Sequence, residues 1–219
     1  MTRFWQSAIF LIAAVIAMAA GAEGYPTFES RGAATAALGA ADVGQRLGAV
    51  IYFGHNGVAA DGPLLVKRLA DEDPTVRKAA EQAVWLAWSR SGDAKTDQLL
   101  NEGSVEMNEG HLQKAIGIFS KVIKRDPAFA EGWNKRATAY YLAGDLRKSL
   151  ADCDEVMKRN PQHFGALSGY GQIYVQLKEY GTAIGYFRRA LAVNPNLTDL
   201  KTVIEGLEEI VREQRRHSI

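Results

Sequence analysis

Cys153 is the single cysteine, and His55, His111, His163 and His217 are the four histidines. A nucleophilic thiol needs a base beside it, and a helical metal site needs two imidazoles one turn apart; the spacing offers neither. One cysteine also excludes an intramolecular disulfide and any multi-cysteine zinc or iron–sulfur site. Glu102 and Glu106 share a helical face, as the carboxylates of an acid–base pair do, but no partner or pocket accompanies them, and a solvated face accounts for both. Trp85 and Trp88 lie three apart without basic surroundings, so they read as core or interface and not as a platform for stacked bases. His163, two residues after Pro161, reads as a turn residue. Glycine-rich phosphate cradles are absent. The sequence predicts no enzyme, no metal and no cofactor.

Function must then reside in surfaces, and charge narrows their partners. The 26 Lys and Arg stand against 25 Asp and Glu, a net charge of +1 that gives no general attraction to nucleic acid. At the amino end, Arg3 precedes an apolar run from Ala8 to Ala20, and Ala20-Gly21-Ala22 has the small-x-small form of a cleavage site. Residues 1–22 are therefore expected to be a signal peptide cut after Ala22, giving a periplasmic or secreted protein. The competing reading is an uncleaved anchor in the inner membrane, because Phe4 to Ala22 carries no charge.

The elements that would build a surface repeat. Pro127, Pro161 and Pro195 are 34 residues apart, and in the same phase fall the columns Leu99, Trp133 and Leu167, then Glu106, Tyr140 and Tyr174. Further columns hold Gly103, Ala137 and Gly171; Ala115, Ser149 and Ala183; and Phe119, Cys153 and Phe187. This pattern resembles the tetratricopeptide repeat, Trp-x2-Leu-Gly-x2-Tyr followed by Ala-x3-Phe and Pro. Repeats are expected over 96–129, 130–163 and 164–197, with the match itself running over 96–195. The first departs most, since Glu106 stands where an aromatic is usual. The resemblance implies an all-α, right-handed α-solenoid of helix-turn-helix units.

The columns have a physical meaning of their own. Small residues at 103, 137 and 171 let a second helix approach closely, while Trp133, Tyr140 and Tyr174 supply area that only a neighbouring helix covers. Cys153 shares its column with two phenylalanines and reads as an inert buried group. Gly110 and Gly144 mark turns. Leu200, Val203, Ile204, Leu207, Ile210 and Val211 predict a capping helix within 198–219, its last-turn arginines Arg212, Arg215 and Arg216 favourable to the helix dipole.

A fainter period of 31 residues runs through 31–92, placing Leu38 on Leu69, Asp42 on Asp73, Arg46 on Arg77 and Ala49 on Ala80. The second copy, from Leu64 to Ala80, looks like a short HEAT repeat; the alternative is a plain helical hairpin packed on the first repeat through Val84, Trp85, Leu86 and Trp88. Residues 23–30 are expected to be a flexible lead.

In tetratricopeptide repeats, peptides bind the concave face at the second, fifth, ninth and twelfth repeat positions. The resemblance therefore points to Asp97, Leu100, Ser104 and Met107; Glu131, Asn134, Thr138 and Tyr141; and Gly165, Ser168, Gln172 and Val175. Chaperone-binding members hold a terminal carboxylate with lysine, arginine and asparagine, and Asn134 alone fits that set, so no carboxylate clamp is expected. Asn134 and Gln172 would bond a peptide backbone beside Tyr141. Segments such as Glu131-Gly132-Trp133-Asn134 resemble small exported repeat proteins of Gram-negative bacteria. The reading is a non-catalytic adaptor of the bacterial envelope that binds a peptide or partner protein. The alternative is a membrane-tethered or self-associating stabiliser of one obligate complex, including a homo-oligomer.

Overall fold

The computed structural model describes residues 24–216; the expected signal peptide and its cleavage boundary lie outside them, and so does His217. Among the described residues every regular element is helical. The amino-terminal segment holds α1 (Arg31–Ala37), α2 (Val43–Asn56), the short α3 (Gly62–Val66) between two 3-10 turns, and α4 (Pro74–Trp88). Six helices follow as three hairpins: α5 (Ala94–Asn108) with α6 (Leu112–Arg125), α7 (Ala130–Leu142) with α8 (Leu146–Arg159), and α9 (Phe164–Gln176) with α10 (Tyr180–Val193). The last helix, α11 (Asp199–Arg216), packs on α10 with Leu200, Ile204 and Leu207 buried. No described helix is long and apolar enough to cross a membrane.

Local sequence sets these boundaries. Asp42, Asp73, Asp93 and Asp145 each accept a first-turn amide of the helix they open, and Pro74 occupies the start of α4. The hairpin turns need a left-handed residue, which Gly110 (φ 81°) and Gly144 (φ 80°) supply without strain. In the third hairpin Lys178 takes the same position at φ 61°, the one described non-glycine residue with positive φ.

Within each hairpin, close approach depends on matched volumes. A Cβ on Gly103 would lie 2.5 Å from Phe119, and one on Gly171 would lie 2.3 Å from Phe187. The middle hairpin reverses both choices, with Ala137 facing the smaller Cys153, and Ser149 Oγ donates to the Ala137 carbonyl at 2.8 Å. Successive hairpins then stack, α6 against α7 and α8 against α9. Among the described residues no helical hairpin stacks on α5 in this way from the amino-terminal side. Val105 is 46% exposed at the position where Ala139 and Ile173 are buried, and Glu106, in place of the usual aromatic, pairs with Lys114 at 2.7 Å and His111 at 2.9 Å.

The 31-residue period has a structural counterpart. Arg46 donates to the carbonyls of Ala40 and Ala41, and Arg77 to those of Asp71 and Glu72, the same two steps back along the chain. Arg46 also forms a two-pronged pair with Asp71, at 3.0 Å through both Nε and Nη2. The expected flexible lead is corrected over residues 24–30: Phe28 packs on the core, the Pro26 carbonyl sits where a Cβ on Gly48 would be, and Ser30 caps α1. Glycine at 48 is what lets the lead lie against α2.

Candidate functional site

The inner helices α5, α7 and α9 carry the expected peptide-binding positions, and the structure divides them into two levels. At the amino-terminal foot of these helices the face is covered. There Glu131 is buried and Asp97 is engaged by the Ser91 amide (2.7 Å) and hydroxyl (2.6 Å), and Leu100, Asn134 and Thr138 farther along the helices are buried as well. At the upper, carboxy-terminal end Met107, Tyr141 and Val175 are half-buried, as are Ser104, Ser168 and Gln172 midway along, and Leu142, one turn beyond Thr138, is 46% exposed. The expectation that Leu100, Glu131, Asn134 and Thr138 face a ligand is therefore corrected.

The cover is the amino-terminal segment. Trp88 stacks on His163 at 4.3 Å between ring centres, and Trp85 meets Phe164 edge-on at 5.0 Å. A Cβ on Gly165 would fall 2.4 Å from the Trp85 ring, so this groove position is filled by indole. Ala59 packs against the cluster of Leu100, Phe119 and Phe129. Farther along, Asn194 donates to Glu81 (3.2 Å) and Asn196 to the Leu69 carbonyl (3.0 Å). Packing of the segment by Trp85 and Trp88 on the first repeat is thus also corrected: the stacked array curls, and its third hairpin meets these rings.

Beneath this cover lies a polar knot. The Ala166 amide donates to His163 Nδ1 at 3.0 Å, which leaves Nε2 to donate to Glu131 Oε2, also at 3.0 Å. One neutral tautomer satisfies both bonds while His163 caps α9. Asn134 donates to the same Glu131 oxygen, and Lys135 stands 3.5 Å from the other. Burial opposes charge on Glu131, but Lys135, His163 and Asn134 outweigh it and hold the carboxyl below its ordinary range. Asn134 is consequently committed inside the protein and the half-buried Lys135 is paired with Glu131, so neither stands unpaired for a peptide terminus.

Other candidate chemistry is accounted for in place. Burial and the nearby Asp152 and Asp154 push the Cys153 thiol up to about 12, the opposite of an activated nucleophile. Beside it, the smaller Ala137–Cys153 pair leaves a cavity of about 10 Å³ bordered by Thr138, Tyr141 and Ala166, at the lower limit for one water. Among the described residues, Glu106, Glu109 and His111 bring three possible metal-ligating atoms together, and the Lys114 ammonium already neutralises Glu106. Trp133 is half-buried between the guanidinium groups of Arg136 and Arg159, at 5.1 and 4.6 Å, so cations as well as a neighbouring helix cover it.

The tetratricopeptide repeat family profile matches residues 100–157 and 136–197. Over residues 100–197 the chain is thus similar to tetratricopeptide repeats. A TPR repeat-containing protein of Rhizobium etli is 33% identical over 103 residues, covering 47% of this chain and 50% of that protein. The small glutamine-rich tetratricopeptide repeat-containing protein of Dictyostelium discoideum is 32% identical over 145 residues, covering 64% of this chain and 43% of that protein. The chain thus spans half or less of the length of these relatives. Two solved structures share the fold: the Sgt2 TPR domain from Aspergillus fumigatus (22% identity, TM-score 0.53, 57% of this chain and 83% of that one) and the first TPR of Spaghetti bound to the HSP90 peptide SRMEEVD (21%, TM-score 0.52, 55% and 96%).

Repeat spacing located the inner face of the hairpins but missed what covers it. Trp85 and Trp88 carried an interface signal in their type and spacing, whereas nothing in the sequence paired them with His163. His163 itself lies three residues before the amide it caps, a helix-start spacing that marks it as more than a turn residue.

Proposed function

We propose that this chain is a non-catalytic interaction scaffold that binds a segment of a partner protein on the open upper level of the TPR face. The observation that carries this reading is a half-buried, mostly uncharged stripe crossing all three inner helices: Met107 on α5, Tyr141 on α7, and Gln172 and Val175 on α9. Such a stripe suits an extended or helical segment with an apolar side. The Spaghetti domain with its bound HSP90 peptide supports the use of this fold for peptides. The acidic sequence of that peptide is a poor match here, because Lys135 and Asn134 are occupied by Glu131.

The expected leader in residues 1–22 supports a place in the bacterial envelope, with the amino-terminal segment as a HEAT-like addition to the TPR array. Cross-linking pull-down from intact cells, with wild type against a Tyr141→Ala, Leu142→Asp variant, tests the binding face. A partner lost in the variant, at unchanged helicity, is the expected result; a partner retained would refute this surface. Mass spectrometry of the amino terminus tests export, with Glu23 as the expected first residue. Retention of Met1 or Thr2 would favour the tethered stabiliser instead.

A further inference from the structure

The turn between α5 and α6 differs from the other two hairpin turns at three positions at once. Where the second hairpin has Tyr140, Ala143 and Asp145 and the third has Tyr174, Leu177 and Glu179, the first has Glu106, Glu109 and His111. The first turn alone carries a carboxylate or an imidazole at each of the three. The fold brings these groups together: His111 Nδ1 lies 2.9 Å from Glu106 Oε2 and 3.4 Å from Glu109 Oε2, and the three residues offer ligand atoms within 4.8 Å of one another. Four-coordinate zinc, with bonds of about 2.0 Å, sets neighbouring donors about 3.3 Å apart.

These donors also forgo what their counterparts do. Asp145 opens α8 by accepting the Lys148 amide, and His163 opens α9 through its own Nδ1; His111, in the place of Asp145, makes no such bond and aims Nδ1 at the carboxylates. Glu106 gives up the core packing that Tyr174 makes. Lys114 reaches Glu106 through Oε1 at 2.7 Å, which leaves Oε2 toward the histidine, and two carboxylates against one ammonium keep the group negative. Lys114 foremost, with His111, holds the Glu106 carboxyl below its ordinary range, so it is ionised. From a donor at each position, their convergence and the forgone cap, we propose that Glu106, Glu109 and His111 bind a divalent transition cation of the zinc class, which clamps the first hairpin turn. One imidazole with two carboxylates suits such a cation better than calcium, whose sites are built from oxygen. A single histidine serves, so a search for imidazoles paired one turn apart passes over it. The clamp joins the end of α5 to the start of α6 at the edge of the array where Val105 is exposed, and it does not rest on the binding face proposed above.

The test is titration of the untagged full chain with zinc chloride, followed by calorimetry and by amide NMR. The expected result is saturable binding of a single zinc, with amide shifts centred on the turn from Glu106 to Leu112. Zinc also slows exchange of the Gly110 and His111 amides, which bond back to the Met107 and Glu106 carbonyls. His111→Ala and Glu109→Gln, both at exposed side chains, each weaken zinc at least about tenfold, the loss that even an outer-shell change brings, at unchanged helicity. His55→Ala leaves zinc binding as it was. Absence of saturable binding, zinc affinity that survives His111→Ala, shifts centred away from this turn, or calcium bound as tightly as zinc would each overturn the proposal.

Discussion

The two parts of this molecule reach a packed interior by different means. In the array, the same columns recur every 34 residues, and each hairpin is closed by a matched pair of volumes: Gly103 with Phe119, Ala137 with Cys153, Gly171 with Phe187. In the amino-terminal segment, closure depends on single contacts such as the buried Arg46–Asp71 pair and on Trp88 lying over Gly62, where a Cβ would meet the ring at 2.3 Å. A periodic interior tolerates a change in one unit when its partner position changes too. The other interior has no second copy of its decisive contacts, and it ends on a face that only the third repeat completes.

The largest expected effect separates the two parts. Phe53→Ala empties a fully buried site in the segment and should cost about 3–5 kcal/mol there. In urea, with exchange read residue by residue, the segment should lose its structure first while α6 to α8 persist; a single shared transition would break the comparison. Within the array, Gly171→Ala should cost roughly 1–3 kcal/mol by pressing on Phe187. Cys153→Phe should destabilise for the mirror-image reason, and adding Ala137→Gly should recover most of that loss. Chemical denaturation of the two single variants and the double variant measures the coupling, and additive effects would refute the matched-volume account.

Smaller still is Lys178→Gly, which should stabilise by about 1 kcal/mol by relieving a left-handed lysine in the third turn. A lowered thermal midpoint would show that the lysine side chain contributes more than its backbone costs. The pH dependence is the finest probe. Arg125, then the Thr96 amide and hydroxyl, hold the Asp93 carboxyl well below the usual range at the junction of segment and array. A depressed carboxyl contributes stability above its unfolded pKa of about 3.9 and loses it as pH falls toward the folded value. Urea midpoints followed from about pH 5 to pH 2 should therefore fall less steeply in Asp93→Asn; equal slopes would place the acid sensitivity elsewhere.

The repeat fold was legible because its information is local and periodic: Pro127, Pro161 and Pro195 keep phase, and small residues oppose large ones sixteen positions later. Gly110 and Gly144 revealed their turns, while Lys178 hid the third by adopting a conformation its side chain disfavours. The binding positions were legible only as places on a face. Their accessibility depends on Asn196 reaching Leu69 across 127 residues and on His163 meeting Trp88, contacts between elements that share no period. Glu131 and Asn134 therefore looked like ligand-facing polar groups, although they serve the closure beneath.

The matched volumes also constrain how this array could have been assembled or could be rebuilt. Residues 137 and 153 belong to one hairpin, so duplicating or exchanging a whole hairpin transmits both halves of its fit. A genetic crossover inside the turn at Gly144 would unite the alanine of one parent with the phenylalanine of another and leave a Cβ where the ring must lie. The unit of inheritance in this solenoid is thus the hairpin, and chimaeras cut at Pro127 or Pro161 should assemble where those cut at the glycine turns do not.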